Sequence, residues 1–204
     1  KLTPAVVVVD YDVLVGGLDC VLPDFVGGMN QAAGYLTTHY QNIGLIAGLE
    51  LTTDGQRVRD VREKTFLNAL KDCERYNPKL VKVENYTVDG GYKAMKELLA
   101  GPESLDAVMV TNDAMAVGAL RALHEAHVVI PDQIALVSFN DIESVTCNLY
   151  PALSAVHVAT DQMASVAIEL LGRRLADSEL APQRVVVGTR LMLRQSTPPE
   201  ETNS

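Results

Sequence analysis

Long apolar runs are missing from this chain. Nothing approaches the roughly 20 consecutive apolar residues that a membrane-spanning helix needs, so a helical membrane protein is excluded. Basic residues are scarce: 17 Lys and Arg stand against 26 Asp and Glu, a formal net charge of −9. A surface that grips nucleic-acid phosphates needs the opposite balance, so any DNA contact is expected from another segment. Cysteine is limited to Cys20, Cys73 and Cys147, and an odd, widely spaced set argues against a disulfide framework. It predicts reduced, buried thiols in a cytoplasmic protein. Catalytic signatures are also lacking: there is no G-x-S-x-G, P-loop, H-E-x-x-H or C-x-x-C. The pairs Gly16-Gly17, Gly27-Gly28 and Gly90-Gly91 do not build G-x-G-x-x-G, and nothing implies a cofactor. The start, KLTPAVVVVD, has neither an initiator Met nor a secretory leader and reads as a cut within a larger protein.

What is present is a folded, globular composition, 48% hydrophobic and 21% charged. Short β-branched runs at 4–10, 43–48, 80–86, 105–110, 133–139, 153–159 and 184–194 read as strands. Between them, stretches of helical period lie at about 24–38, 57–76, 89–100, 113–126 and 161–177. Strand and helix in alternation predict an α/β fold, a parallel sheet covered by helices. Asp24 is placed to cap the first helix, while Asn77-Pro78 and Gly101-Pro102 mark the ends of the second and third. The tail STPPEETNS is polar and Pro-rich, and is expected to fray.

Polar residues collect where these strands end: Asp10, Tyr86, Asn112-Asp113 and Asn140-Asp141. On the pattern alone they share the carboxyl edge of one parallel sheet, where open α/β sheets bind ligands. Asn and Asp are also leading helix caps, so either residue of a pair reads equally as a cap, although capping needs only one. An amide and a carboxylate together suit the vicinal hydroxyls of a sugar. Tyr86 offers either a flat face for a sugar ring or a core aromatic. Arg62 either forks two hydroxyls or pairs at the surface with Asp60 or Glu63. His124 and His127 share a helix face at i, i+3 but lack a third metal ligand, and His39 and His157 have no evident partner.

The segments PAVVVVD, GGMNQAAGYL, IGLIAG, REKTF, GGYKAM, VTNDAMAVGALRAL, IPDQIALVSFNDIES, PALSAVHV and RLMLRQST, in this order and spacing, resemble the effector-binding core of the LacI/GalR transcriptional repressors. The closing L-x-x-R-x-S-T is typical of repressors rather than of secreted binding proteins, and DVREKTF with SFNDIES looks closest to repressors of galactoside operons. The resemblance implies a periplasmic-binding-protein-like type I fold of two Rossmann-like subdomains that clamp a small molecule. The C-subdomain would comprise residues 24–157 plus 188–197, and a truncated N-subdomain residues 1–23 plus 158–187, with a disordered tail at 198–204. The DNA-binding helix-turn-helix and the start of the N-subdomain would be missing.

Carried over by position, the resemblance implies that Asp10 is the N-subdomain carboxylate facing the effector and Arg62 the arginine forking onto it. Tyr86 would be the stacking aromatic, Asn112 the amide after the fourth strand, Asn140 a contact to sugar hydroxyls, and Met163 an apolar wall. Asn112 is thereby assigned to the ligand and Asp113 to the helix cap. Asn140 replaces a frequent Asp, which suits a neutral ligand. Leu22-Pro23, Ala114 and His39-Tyr40 depart from the family pattern. The implied function is sugar sensing, for galactose or a galactoside, by a non-enzymatic cytoplasmic regulator that controls operator DNA through the missing domain. The protein would be a homodimer, paired around helix 114–126 and Ser144–Tyr150. A receptor delivering sugar to a transport system is the alternative.

Overall fold

The computed structural model describes residues 5–11 and 18–198. Its larger sheet has six strands, Ile43–Gly48 (β3), Val81–Glu84 (β6), Ala107–Val110 (β7), Ala135–Asn140 (β8), Ser154–Val158 (β9) and Thr189–Met192 (β11), in the order β11-β9-β8-β7-β3-β6. All pair in parallel except β11, which runs antiparallel to β9. A second, parallel sheet holds Val7–Val9 (β1), Asp19–Pro23 (β2) and Arg184–Val187 (β10), in the order β1-β2-β10. The chain passes between the sheets after Pro23, after β9 and at Gly188.

Helices cover both faces of the larger sheet. On one face, Phe25–His39 (α1) and Val61–Asp72 (α2) bury Met29, Leu36, Phe66 and Leu70 against Leu45, Met109, Val137 and Phe139. On the other, Val88–Ala100 (α3) and Asp113–Glu125 (α4) bury Met95, Leu98, Met115 and Leu123 against Ile46, Val108 and Leu136. The last helix, Thr160–Ala176 (α6), sits on the smaller sheet, and its Met163 and Leu170 join Val21 and Val187 in the first of these clusters. The apolar core is thus continuous across the junction of the two sheets. Helices α3 and α4 meet backbone to backbone: an ideal Cβ at Gly118 would lie 1.8 Å from the Val88 carbonyl oxygen.

The α/β class holds, and the elements differ in places from the expectation. Residues 19–23 form a central strand, although DCVLP lacks the β-branched run that signals one. The run 184–194 is two strands in different sheets, parted at Gly188. Residues 57–58 belong to a hairpin of Glu50–Leu51 (β4) with Arg57–Val58 (β5), so α2 starts only where Asp60 caps it, and it stops at Cys73 before Asn77-Pro78. His127 has left the helix with φ 56°, so it shares no helix face with His124. Cys20 is buried, but Cys73 and Cys147, at the ends of α2 and the short helix Glu143–Thr146 (α5), are exposed. The start of the tail STPPEETNS does not fray: Ser196 and Thr197 are buried, Ser196 Oγ donates to the Leu136 carbonyl at 2.6 Å, and Tyr35 Oη donates to the Pro198 carbonyl at 3.0 Å; the rest of that tail falls outside the described residues.

Candidate functional site

Two cavities open between the sheets, and Asp10 lines both. The first, about 580 Å³, is walled by β2 and β10 residues, Phe25, Glu50, Asp60 and Arg62. The second, about 640 Å³, is walled by Asn140, Asp141, His157 and the start of α6, including Met163. Both have the size and mixed lining of a small-molecule site. Asp10 stands at the end of β1, in the smaller sheet, so the polar strand ends do not share one sheet edge; they face each other from two. Period alone cannot distinguish one sheet from two.

Arg62 is the centre of the first cavity. Its side chain is only 13% exposed, and its guanidinium lies 5.4, 5.5 and 5.7 Å from the ring centroids of Phe25, Tyr86 and Phe139, within cation–π range. Nε and Nη2 donate to Asp60 Oδ2, Nη2 also to Tyr86 Oη at 3.1 Å, and Nη1 to the Thr111 carbonyl at 3.0 Å. Four of the five guanidinium N–H groups are so engaged, which leaves one on Nη1 for a ligand. Burial opposes the guanidinium charge, but Asp60 outweighs it and keeps Arg62 ionised; in return Arg62 holds the buried Asp60 carboxyl below its ordinary range. The pairing with Asp60 that reads from the sequence as a surface contact is therefore real but interior.

Three more carboxylates, Asp10, Asp24 and Glu50, line this cavity. Burial raises the pKa of Asp10 and of Glu50, the Arg62 charge offsets part of that, and the Asp60 charge adds to it. Glu50 lies on the hairpin arm, whose two-residue strands gave no signal in the sequence. Tyr86 and Asn112 line neither cavity. The Tyr86 ring lies against Gly48, where a Cβ would come within 1.9 Å of it, and Oη donates to Asp60 at 2.9 Å. Tyr86 thus backs Arg62 instead of offering an open face.

At the opening of α4 neither residue takes the role expected of it. Asn112, not Asp113, is the cap: its Oδ1 accepts from Met115 N at 2.8 Å. Asp113 is buried and accepts from Ser138 Oγ at 2.5 Å and from Ile142 N at 2.7 Å, tying the helix to the end of β8. The extended backbone of Asn112 aims its oxygen back at the first turn, whereas Asp113, one residue on, points across to the next strand.

The end of β8 is held in an uncommon conformation, with φ 107° at Asn140 and 58° at Asp141. Such residues persist only where neighbours fix them, and they cluster at functional sites. Here Asp113 grips the following Ile142 N, and Arg194 grips Asp141 with both oxygens engaged, at 2.7 and 2.9 Å. Thr146 Oγ1 adds 2.6 Å and His157 Nδ1 3.1 Å. Burial works against the Asp141 charge, but Arg194 and Thr146 prevail and hold its carboxyl below the ordinary range. No local pattern links Asp141 to Arg194, 53 residues away.

A family model for the periplasmic binding protein-like domain matches residues 34–197. The chain belongs to the periplasmic binding protein-like domain family. Within that family it is 35% identical over 200 residues to the HTH-type transcriptional regulator GalR of Streptococcus thermophilus, a match covering 97% of this chain and 60% of that protein. The chain therefore spans about 60% of the length of this curated relative. Among solved structures, the transcriptional regulator CelR in complex with cellobiose superposes with a TM-score of 0.78 at 28% identity, over 93% of this chain and 58% of that one. A LacI-family transcriptional regulator from Enterococcus faecium with bound ribose gives 0.80 at 23% identity, over 96% and 71%, a likeness of fold. The periplasmic-binding-protein-like fold and the kinship with LacI/GalR-type regulators are borne out. No helix of the described residues is long and apolar enough to cross a membrane.

Proposed function

We propose that this chain is the effector-binding part of a sugar-responsive transcriptional regulator and not an enzyme. The two sheets are the cores of two subdomains, residues 24–157 plus 188–197 and residues 1–23 plus 158–187, and the effector lies between them. The observation that carries this reading is the buried guanidinium of Arg62, facing Asp10 of the other sheet across the first cavity with one N–H unspent. Asp10, Arg62, Asn140 and Met163 contact the ligand, while Tyr86 and Asn112 act one layer back. The regulators to which the chain is similar, one of them in complex with cellobiose, support a sugar as the effector.

A neutral sugar, of the galactose or galactoside kind, fits a cleft lined by four carboxylates, Asp10, Asp24, Glu50 and Asp60, against two guanidinium groups, of Arg62 and Arg184. Binding shifts the relative closure of the subdomains, and this shift must be what a DNA-binding segment and a homodimeric partner read, since a ligand moves an equilibrium only through differential affinity. Such a regulator works in the cytoplasm. Titration calorimetry of the chain against D-galactose, methyl β-D-galactoside, lactose, cellobiose and D-ribose tests the reading. Saturable heat from at least one sugar is expected, and no heat from any of them would overturn it.

A further inference from the structure

His157 has no partner in the sequence pattern, yet the fold gives it one. It is the register neighbour of Asn140 across β8 and β9, so the two polar side chains stand side by side at the same sheet end. Its Nδ1 lies 3.1 Å from Asp141 Oδ2, its side chain is 40% exposed, and it lines the second cavity together with Asn140, Met163 and Asp10.

The bond to Asp141 fixes which ring nitrogen carries the proton. The Asp141 carboxylate is an acceptor, saturated on its other sides by two Arg194 donors and by Thr146, and it cannot turn to offer anything else. A neutral imidazole must then donate through Nδ1–H and leave Nε2 as a bare acceptor. Asp141 and Arg194 are 2% and 16% exposed at the side chain, so the ring is anchored on a rigid base. Asn140 beside it can both donate and accept, whereas a neutral His157 offers the cavity only an acceptor at Nε2.

We propose that His157 is a specificity-determining ligand residue, whose Nε2 accepts a hydrogen bond from one hydroxyl of the sugar in the cavity it shares with Asn140. The assignment rests on the sugar-binding reading above. A hydroxyl is selected because a ring or ether oxygen has no proton to give, and a deoxy position would leave Nε2 without a partner. Arg194 and Asp141 are then positioning residues, acting through the ring.

The test uses the full chain with D-galactose and its 2-, 3-, 4- and 6-deoxy derivatives, together with lactose and cellobiose. Nitrogen NMR of the histidine rings, at a pH above the ordinary histidine range, should show the His157 proton on Nδ1. In calorimetry, His157→Phe should weaken the bound sugar by about five- to tenfold, the worth of one neutral hydrogen bond, with no further loss for the one deoxy derivative that lacks the contacted hydroxyl. A proton on Nε2, or a variant that weakens every derivative by the same factor, would overturn the assignment. No heat from any sugar with the unsubstituted chain is a different failure, that of the sugar-binding reading.

Discussion

Replacing Arg194 by Met keeps most of the side-chain volume and removes the charge that holds the end of β8. Arg194 donates to both oxygens of Asp141 and, through Nη1, to the Leu153 carbonyl at 2.7 Å. Removing one partner of a buried pair costs about 3–5 kcal/mol, because the other charge is left stranded. Asp141 keeps Thr146 and His157, which places the loss at the lower end, and the Leu153 carbonyl adds about 1 kcal/mol. The sum, about 3 to 4 kcal/mol, is a large part of the roughly 5–15 kcal/mol that holds a domain together. At a urea slope of about 2 kcal/mol/M the midpoint should fall by about 1.5 to 2 M with the slope unchanged. Adding Asp141→Asn to Arg194→Met should recover much of this, since the stranded charge is then gone. The pH dependence has a definite sign. The Asp141 carboxyl is held below its unfolded value, so its contribution is complete above the ordinary carboxylate range and is lost as pH falls through the folded value. The gap between the parent and Arg194→Met should therefore close in acid. A midpoint shift below about 0.5 M at neutral pH, under a third of the change worked out above, would refute the reasoning.

Three further outcomes follow from particular contacts. Gly48→Ala puts a Cβ where the Tyr86 ring lies; the ring must swing off Arg62, so sugar affinity measured by calorimetry should drop at least fivefold while the fold survives. Asn112→Ala removes a cap and should lower stability by about 1 kcal/mol. Asp113→Ala strips the buried Ser138 hydroxyl and the part-buried Ile142 N–H of their acceptor and should cost about 2 kcal/mol or more; urea melts that rank the two the other way would contradict the assignment. Galactose 6-phosphate should bind at least tenfold more weakly than galactose, because the carboxylates Asp10, Asp24, Glu50 and Asp60 outnumber the lining cations Arg62 and Arg184; equal heats for the two sugars would disprove the charge argument.

What could be read from the residues alone was whatever local chemistry determines. The strand IGLIAG and the α3 and α4 helices lie where periodicity and caps place them, because each has a β-branched or small-residue pattern and a clear start or stop. The strand DCVLP was invisible because it is short and has only one β-branched residue; tertiary pairing with two neighbours makes it a strand. Asn112 and Asp113 stand out as a pair in the sequence, but their division of labour depends on where Ser138 and Ile142 lie, which no local spacing contains. Arg62 was found, and its burial was not, since the rings around it come from three separate elements. The Asp141, His157 and Arg194 cluster joins residues far apart in sequence through strand order alone.

The central claim, that a sugar binds between the two sheets, can be put to one site-resolved measurement. The chain has six methionines, of which Met163 alone lines either cavity. With the methionine methyl groups labelled with carbon-13, each sugar of the panel is titrated in and the six resonances followed. The Met163 methyl should shift, saturably and more than Met29, Met95, Met109, Met115 and Met192. A saturable shift at Met192, on the outer strand β11, with Met163 unmoved would place the ligand elsewhere, and no shift with any sugar would contradict the account.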